Sequence, residues 1–313
     1  AMVSNETLLA LQAALFAATL VVLLRCRRSP EPPPPPLPLA VPLPDTEPVG
    51  QKRKGKTKRQ VVVLQAQDRI AAPRPKLSIL RPEVDSRLDG SHLVNVNGNS
   101  RNPDAAAVLI LPGGNYDSCN LRLPLEVASW LRDLGLVAYV LRYRLRSEGH
   151  FWPAQMEDCE LALQLMRQDA ARGAFNATKL GILGFSAGGH LATVAATSFE
   201  KRPAFQILIY ATTDVETPLW DPWTARLGYP GVEYNTVRLV DRRTPPVFAA
   251  VSTEDDITSY EENTRPYLEA CRHHGVKTEL VYAKMGPHGH PMSDLWTKPC
   301  EGWLRANHWA PSK

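Results

Sequence analysis

One serine in this chain stands where a hydroxyl can be put to chemical use. Gly184-Phe185-Ser186-Ala187-Gly188 has the spacing G-x-S-x-G. It joins an apolar run, Leu180 to Phe185, to a helix-like segment starting near Ala187. A serine between strand and helix reads as a nucleophile elbow, a turn so tight that its neighbours must be glycine. The competing reading is a plain turn serine in glycine-rich company. A hydroxyl is a weak nucleophile and needs a base, which a third group must hold. Asp255 and Asp256 follow the run "PPVFAAVS", and His288 and His290 follow "KTELVYAK". Serine, acid and histidine thus occur in order, each after a strand. An aspartate pair after a strand is also a common helix cap, and a lone histidine is usually structural. The joint arrangement makes the case. Charge developing on a substrate oxygen needs backbone N–H groups aimed at it. Ala187 would supply one, and the loop "LPGGNYDSCN" after "AAVLI" another, unless that loop is only a Gly-rich turn.

The elements that must position these groups are legible as an alternation. "AAVLILP" (106–112), "LVAYVLRYR" (136–144), "KLGILGF", "FQILIY", "PPVFAAVS" and "KTELVYAK" read as strands. Between them, "LPLEVASWLRDLG" (123–135), "PAQMEDCELALQLMRQDAA" (153–171), "AGGHLATVAATS" and "SYEENTRPYLEACRHHG" (259–275) have helical spacing. Such alternation implies an α/β fold, a mainly parallel sheet with helices on both faces. Ligands of such sheets bind at the C-terminal ends of the strands. The insert 215–245 reads as a small cap over the site, with Trp220 and Trp223 either contacting substrate or packing the cap.

The 313 residues carry a formal charge of +4, but residues 1–60 hold nine Lys/Arg against four Asp/Glu, so the remainder is at −1. A basic nucleic-acid-binding core is not indicated. The five cysteines, Cys26, Cys119, Cys159, Cys271 and Cys300, include no C-x-x-C pair, which argues against a disulfide framework or a zinc site. Residues 1–28 are expected to form an N-terminal helix. Its apolar run, residues 8–24, would span about 25 Å against a hydrocarbon core of ~30 Å. Arg25, Arg27 and Arg28 follow it, so as a membrane anchor it leaves the rest of the chain cytosolic. A surface helix or part of a transit peptide is the alternative, with a soluble cytoplasmic or organellar protein. Residues 29–60 form a linker. Ten of the 28 prolines fall between Pro30 and Pro48, an extended spacer or an SH3-type ligand. The basic run "KRKGKTKR" is a solvated charge run, a lipid contact or an import signal. Residues 61–313 are the expected catalytic domain.

Taken together, these segments resemble the α/β-hydrolase superfamily. They are most similar to carboxylesterases related to acetyl-xylan and feruloyl esterases, with likeness to the hormone-sensitive-lipase-like and dienelactone-hydrolase-like groups. The resemblance spans roughly residues 104–305. "VLILPGGNY" looks like the family's oxyanion loop, and "LGFSAGGHLA" extends the match beyond the pentapeptide. "VSTEDDIT" is similar to the acid loop, whose acid falls on Asp255, and "KMGPHGH" to the segment whose histidine falls on His288. The resemblance implies a serine esterase with Ser186, Asp255 and His288 as its triad. Oxyanion donors would come from Gly114, Asn115 and Ala187. It implies small ester substrates and no metal or organic cofactor. A lipase, amidase or peptidase would use the same triad, and a non-catalytic binding protein could share the fold. Asn115 replaces the loop's third glycine, Pro287 and His290 flank the histidine with residues the family lacks, and "ITS" stands where the acid loop has "VVP".

Overall fold

A computed structural model describes residues 91–97, 101–214 and 234–312. The N-terminal arm, including residues 8–24 and the proline-rich stretch, lies outside the described residues. So do residues 215–233 with Trp220 and Trp223.

The described strands are β1 (His92–Asn95), β2 (Ala107–Leu111), β3 (Val137–Arg142), β4 (Leu180–Phe185), β5 (Gln206–Ile209), β6 (Val247–Ser252) and β7 (Thr278–Ala283). They form one sheet in the order β1-β3-β2-β4-β5-β6-β7. Only β1 runs antiparallel, against β3. Of the parallel strands, β2 to β6 are buried because both of their faces are covered, whereas the edge strand β7 is only partly buried. Leu109, Ile182 and Leu208 point to one face, and Val108, Leu183 and Ile207 to the other. The first face is covered by α2 (Ala154–Ala171), α3 (Ala187–Ser198) and α5 (Arg265–His273). The second is covered by α1 (Arg122–Asp133) and α6 (Asp294–Ala306), which contribute Val127, Leu131, Trp296 and Leu304. Each fully buried side chain of this kind contributes roughly 1.5–3 kcal/mol.

The expected alternation therefore holds, with differences of detail. The segment 259–275 is not one helix. It makes a wide turn over Tyr260–Thr264 before α5 begins at Arg265. Pro266 sits in the first turn of α5, where its missing N–H costs least. Residues 234–240, expected to end a cap, pack beside α3. Asn235 caps the short helix α4 (Thr236–Leu239), and the Thr236 hydroxyl donates to the Thr213 carbonyl. Cys119, Cys159, Cys271 and Cys300 are free thiols. Among the described residues no helix is long and apolar enough to cross a membrane.

Candidate active site

Ser186 occupies the single residue between β4 and α3, with φ 50° and ψ −121°. A side chain rarely tolerates that conformation, so the surroundings must enforce it. The Ser186 carbonyl accepts from the N–H groups of Gly189, His190 and Thr212, and its own N–H donates to the Ile209 carbonyl at 3.2 Å. The flanking glycines are explained by close approach. A Cβ on Gly184 would lie 2.2 Å from the Gly188 carbonyl oxygen, and one on Gly188 would lie 2.3 Å from the carbonyl oxygens of Leu111 and Pro112. No other residue type fits either place.

Because β4, β6 and β7 are parallel, the loops that follow them meet at one edge of the sheet. Asp255 follows β6. Its carboxylate accepts from the N–H groups of Ile257 (3.0 Å) and Thr258 (2.8 Å) and from the Thr258 hydroxyl (3.1 Å). His288 follows β7. Its Nδ1 lies 2.9 Å from Asp255 Oδ2 and 3.1 Å from Oδ1, and its Nε2 lies 2.9 Å from Ser186 Oγ. A carboxylate only accepts, so Nδ1 carries a proton, and Nε2 is left facing the serine hydroxyl. Burial pushes the Asp255 carboxyl up, but the bonds from His288 and Thr258 outweigh it and hold the group below its ordinary value. Ser252 joins the two loops, its hydroxyl accepting from the N–H groups of Glu254 and Met285.

The neighbouring candidates lie apart from this series. Asp256 is exposed. His290 is buried, with Nδ1 directed to the Pro291 carbonyl at 3.3 Å and Nε2 without a partner. Its ring stands edge-on to Tyr210 at 4.8 Å, and burial holds its pKa below the usual value.

The loop after β2 runs along the serine. A Cβ on Gly113 would stand 3.0 Å from that of Ser186. Gly114 has φ 121°, and Asn115 and Tyr116 follow at 55° and 59°. Asparagine tolerates left-handed geometry better than most residues, which accounts for its standing where the resemblance has glycine. The Gly114 carbonyl accepts from Asp117 and Ser118, closing the turn. Ala187 is the first residue of α3, and a helix leaves such an N–H without an intrahelical acceptor.

Several residues around the site are not singled out by the sequence. Tyr116 O–H lies 2.9 Å from His190 Nδ1, and His190 Nε2 lies 2.9 Å from the Tyr234 carbonyl. The carbonyl must accept, so Nε2 carries the proton and Tyr116 donates to Nδ1. Burial lowers the His190 pKa to about 4. Trp152 packs against Tyr116, His190 and Tyr234. Tyr210 stands edge-on to His288 at 5.0 Å. The one available signal was the position of His190, four residues after Ser186 on α3. Among the described residues no group of three or more His, Cys, Asp or Glu is placed to hold a metal ion.

Comparison with known proteins agrees with this architecture. The family model BD-FAE matches residues 97–216. Over 201 residues, 60% of this chain, the sequence is 30% identical to an acetylxylan esterase of Xylanibacter ruminicola, covering 42% of that protein. An ethyl acetate hydrolase of Pseudomonas putida is 30% identical over 116 residues, 35% of this chain and 36% of that protein. The matches thus span less than half the length of these curated relatives. An acetyl ester-xyloside bifunctional hydrolase from Caldicellulosiruptor lactoaceticus superposes with a TM-score of 0.60 at 25% identity, covering 71% of this chain and 89% of that one. A Thermogutta terrifontis esterase, Est2, shares the fold with a TM-score of 0.64 at 21% identity, covering 76% and 98%. Fold, elbow and likeness give the described domain the architecture of the α/β hydrolases. Its relatives and structural neighbours include esterases of the acetylxylan and carboxylesterase kind.

Proposed function

We propose that this domain hydrolyses small carboxylic esters with short acyl groups through an acyl-enzyme on Ser186. The observation that carries the reading is the series Ser186 Oγ, His288 Nε2, His288 Nδ1 and Asp255 Oδ2, with both links at 2.9 Å. His288 removes the serine proton as Ser186 attacks the ester carbonyl. Asp255 fixes the tautomer of the ring and stabilises the imidazolium. The N–H groups of Ala187, Gly114 and Asn115 receive the developing oxyanion, each such donor contributing about 3 kcal/mol to lowering the barrier. His288 then protonates the leaving alcohol, and water repeats the sequence in reverse. These steps call on no metal or organic cofactor. The acetylxylan esterase likeness and Asn115, which takes space a glycine would leave, favour acyl chains of up to about four carbons, on carbohydrate acetyl or feruloyl esters among others.

The test is labelling with a serine-directed fluorophosphonate, followed by a p-nitrophenyl ester series of increasing chain length. Labelling at Ser186 and turnover that peaks at acetate to butyrate are expected. A peak at long chains would mark a lipase, and labelling with amide turnover alone would mark an amidase or peptidase. Absence of both labelling and turnover would leave a binding protein. The apolar run 8–24, with arginines after it, supports tethering of this activity to a membrane from its cytosolic side. A chain beginning near Val61 should then leave the membrane fraction with its turnover unchanged; retention there would refute the tether.

A further inference from the structure

We propose that Thr258, backed by Tyr210, is a positioning residue that holds the His288 ring in register with Ser186; this rests on the hydrolase reading above. The Thr258 side chain is buried, and one hydroxyl lies within hydrogen-bond reach of three groups. They are the Tyr210 carbonyl at 2.9 Å, Asp255 Oδ2 at 3.1 Å and His288 Nδ1 at 3.2 Å. A carbonyl and a carboxylate can only accept. The hydroxyl therefore directs its single proton to those two, and its oxygen accepts from the Nδ1–H of His288. That N–H is shared between the carboxylate and Thr258 rather than resting on the carboxylate alone.

Tyr210 gives the hydroxyl a fixed partner. It follows β5 with φ 38°, a rare conformation for an aromatic residue and one the surroundings must hold. Its N–H donates to the Ala250 carbonyl, its carbonyl receives Thr258, and its ring packs edge-on against His288. The imidazole is thus gripped at Nδ1 by two acceptors and on its side by a ring. The need for that grip is geometric. Nε2 must stay within reach of Ser186 Oγ while the proton moves, and a ring free to pivot about one Asp255 contact loses that reach. The "VVP" of the resembling acid loops offers no hydroxyl here. In this chain the Thr258 hydroxyl supplies it.

The test compares Thr258→Val, Thr258→Ser and Thr258→Ala in the full chain. Valine keeps the shape and removes the hydroxyl, serine keeps the hydroxyl, and alanine serves as the reference for serine should valine fail to fold. Turnover of p-nitrophenyl acetate, the rate of fluorophosphonate labelling and the melting temperature are read for each. We expect Thr258→Val to slow kcat and labelling about tenfold with KM within about twofold. Thr258→Ser should recover to within about twofold of the parent, and Thr258→Ala should stay slow. Parent-like rates in Thr258→Val or Thr258→Ala, or slow rates in a folded Thr258→Ser, would overturn the proposal. So would a loss confined to KM or to the melting temperature. A parent protein that neither labels nor turns over would overturn the hydrolase reading and this inference with it.

Discussion

Around Ser186 the chain is fixed by backbone packed on backbone, whereas around Asp255 and His288 it is fixed by side-chain hydrogen bonds. At the elbow, Gly184 and Gly188 leave no room for a single extra carbon, and the Ser186 carbonyl takes three N–H groups. In the acid and base loops the Ser252, Thr258 and Asp255 side chains do the joining. The first region is a steric solution and tolerates almost no change. The second is a network in which each bond is replaceable at a modest loss of stability. The proposed chemistry is divided in the same way, with the serine on the rigid part and the groups assigned to proton transfer on the network.

The sharpest way to break the comparison is to remove the proposed nucleophile. Ser186→Ala should abolish fluorophosphonate labelling and turnover while the melting temperature stays close to that of the parent. Full activity in that variant would remove the mechanism altogether. On the network side, Asp255→Asn should lower kcat by about 10⁴, the serine-protease precedent for a lost orienting acid. His288→Ala should be similarly inactive and His290→Ala should keep most activity, because only His288 reaches Ser186. Normal turnover by His288→Ala would show that the base is misassigned.

Stability should divide along the same line. Gly188→Ala drives a carbon into two carbonyl oxygens, so we expect about 3 kcal/mol of destabilisation or more in urea unfolding, if it folds. Ser252→Ala leaves two N–H groups without their acceptor and should cost about 1–2 kcal/mol. Equal losses would erase the distinction between the regions.

The last expected effect is a pH dependence set by His190. Its folded-state pKa falls from 6.5 to about 4 through burial. Below pH 6.5 the unfolded chain takes up a proton that the folded chain refuses until about pH 4. Stability from this residue is therefore complete above pH 6.5 and is lost as pH falls through that window, by roughly 3 kcal/mol. Unfolding measured across that range should show the decline in the parent and a flatter profile in His190→Gln. Identical profiles would contradict the buried, neutral imidazole.

Much of the sheet was legible because parallel strands covered on both faces are continuous apolar runs, and "KLGILGF" and "PPVFAAVS" are such runs. The elbow was legible because a steric need leaves a fixed signature, two glycines at fixed distance from a serine. β1 was missed, since "HLVN" is short and only partly buried. So was α6, which carries Pro299 in its interior and looks broken in sequence. The Tyr116–His190–Tyr234 and Tyr210–Thr258–His288 groupings were not readable at all. Their members come from separate segments, and only the folded sheet edge brings them within hydrogen-bond distance. Asp255 could be chosen over Asp256, and His288 over His290, only by resemblance, because residue type and spacing are the same for both.

The conformation of Ser186 has a further consequence for how the protein should fail on heating. Its unusual backbone is held by N–H groups from the first turn of α3 and from Thr212, beyond β5, so it cannot relax while the sheet survives. The strain is met once, when the chain folds, and is not renewed in each turn of the proposed reaction. Thermal inactivation and thermal unfolding should then follow one curve, and the activity left after a heat pulse should count the molecules still folded.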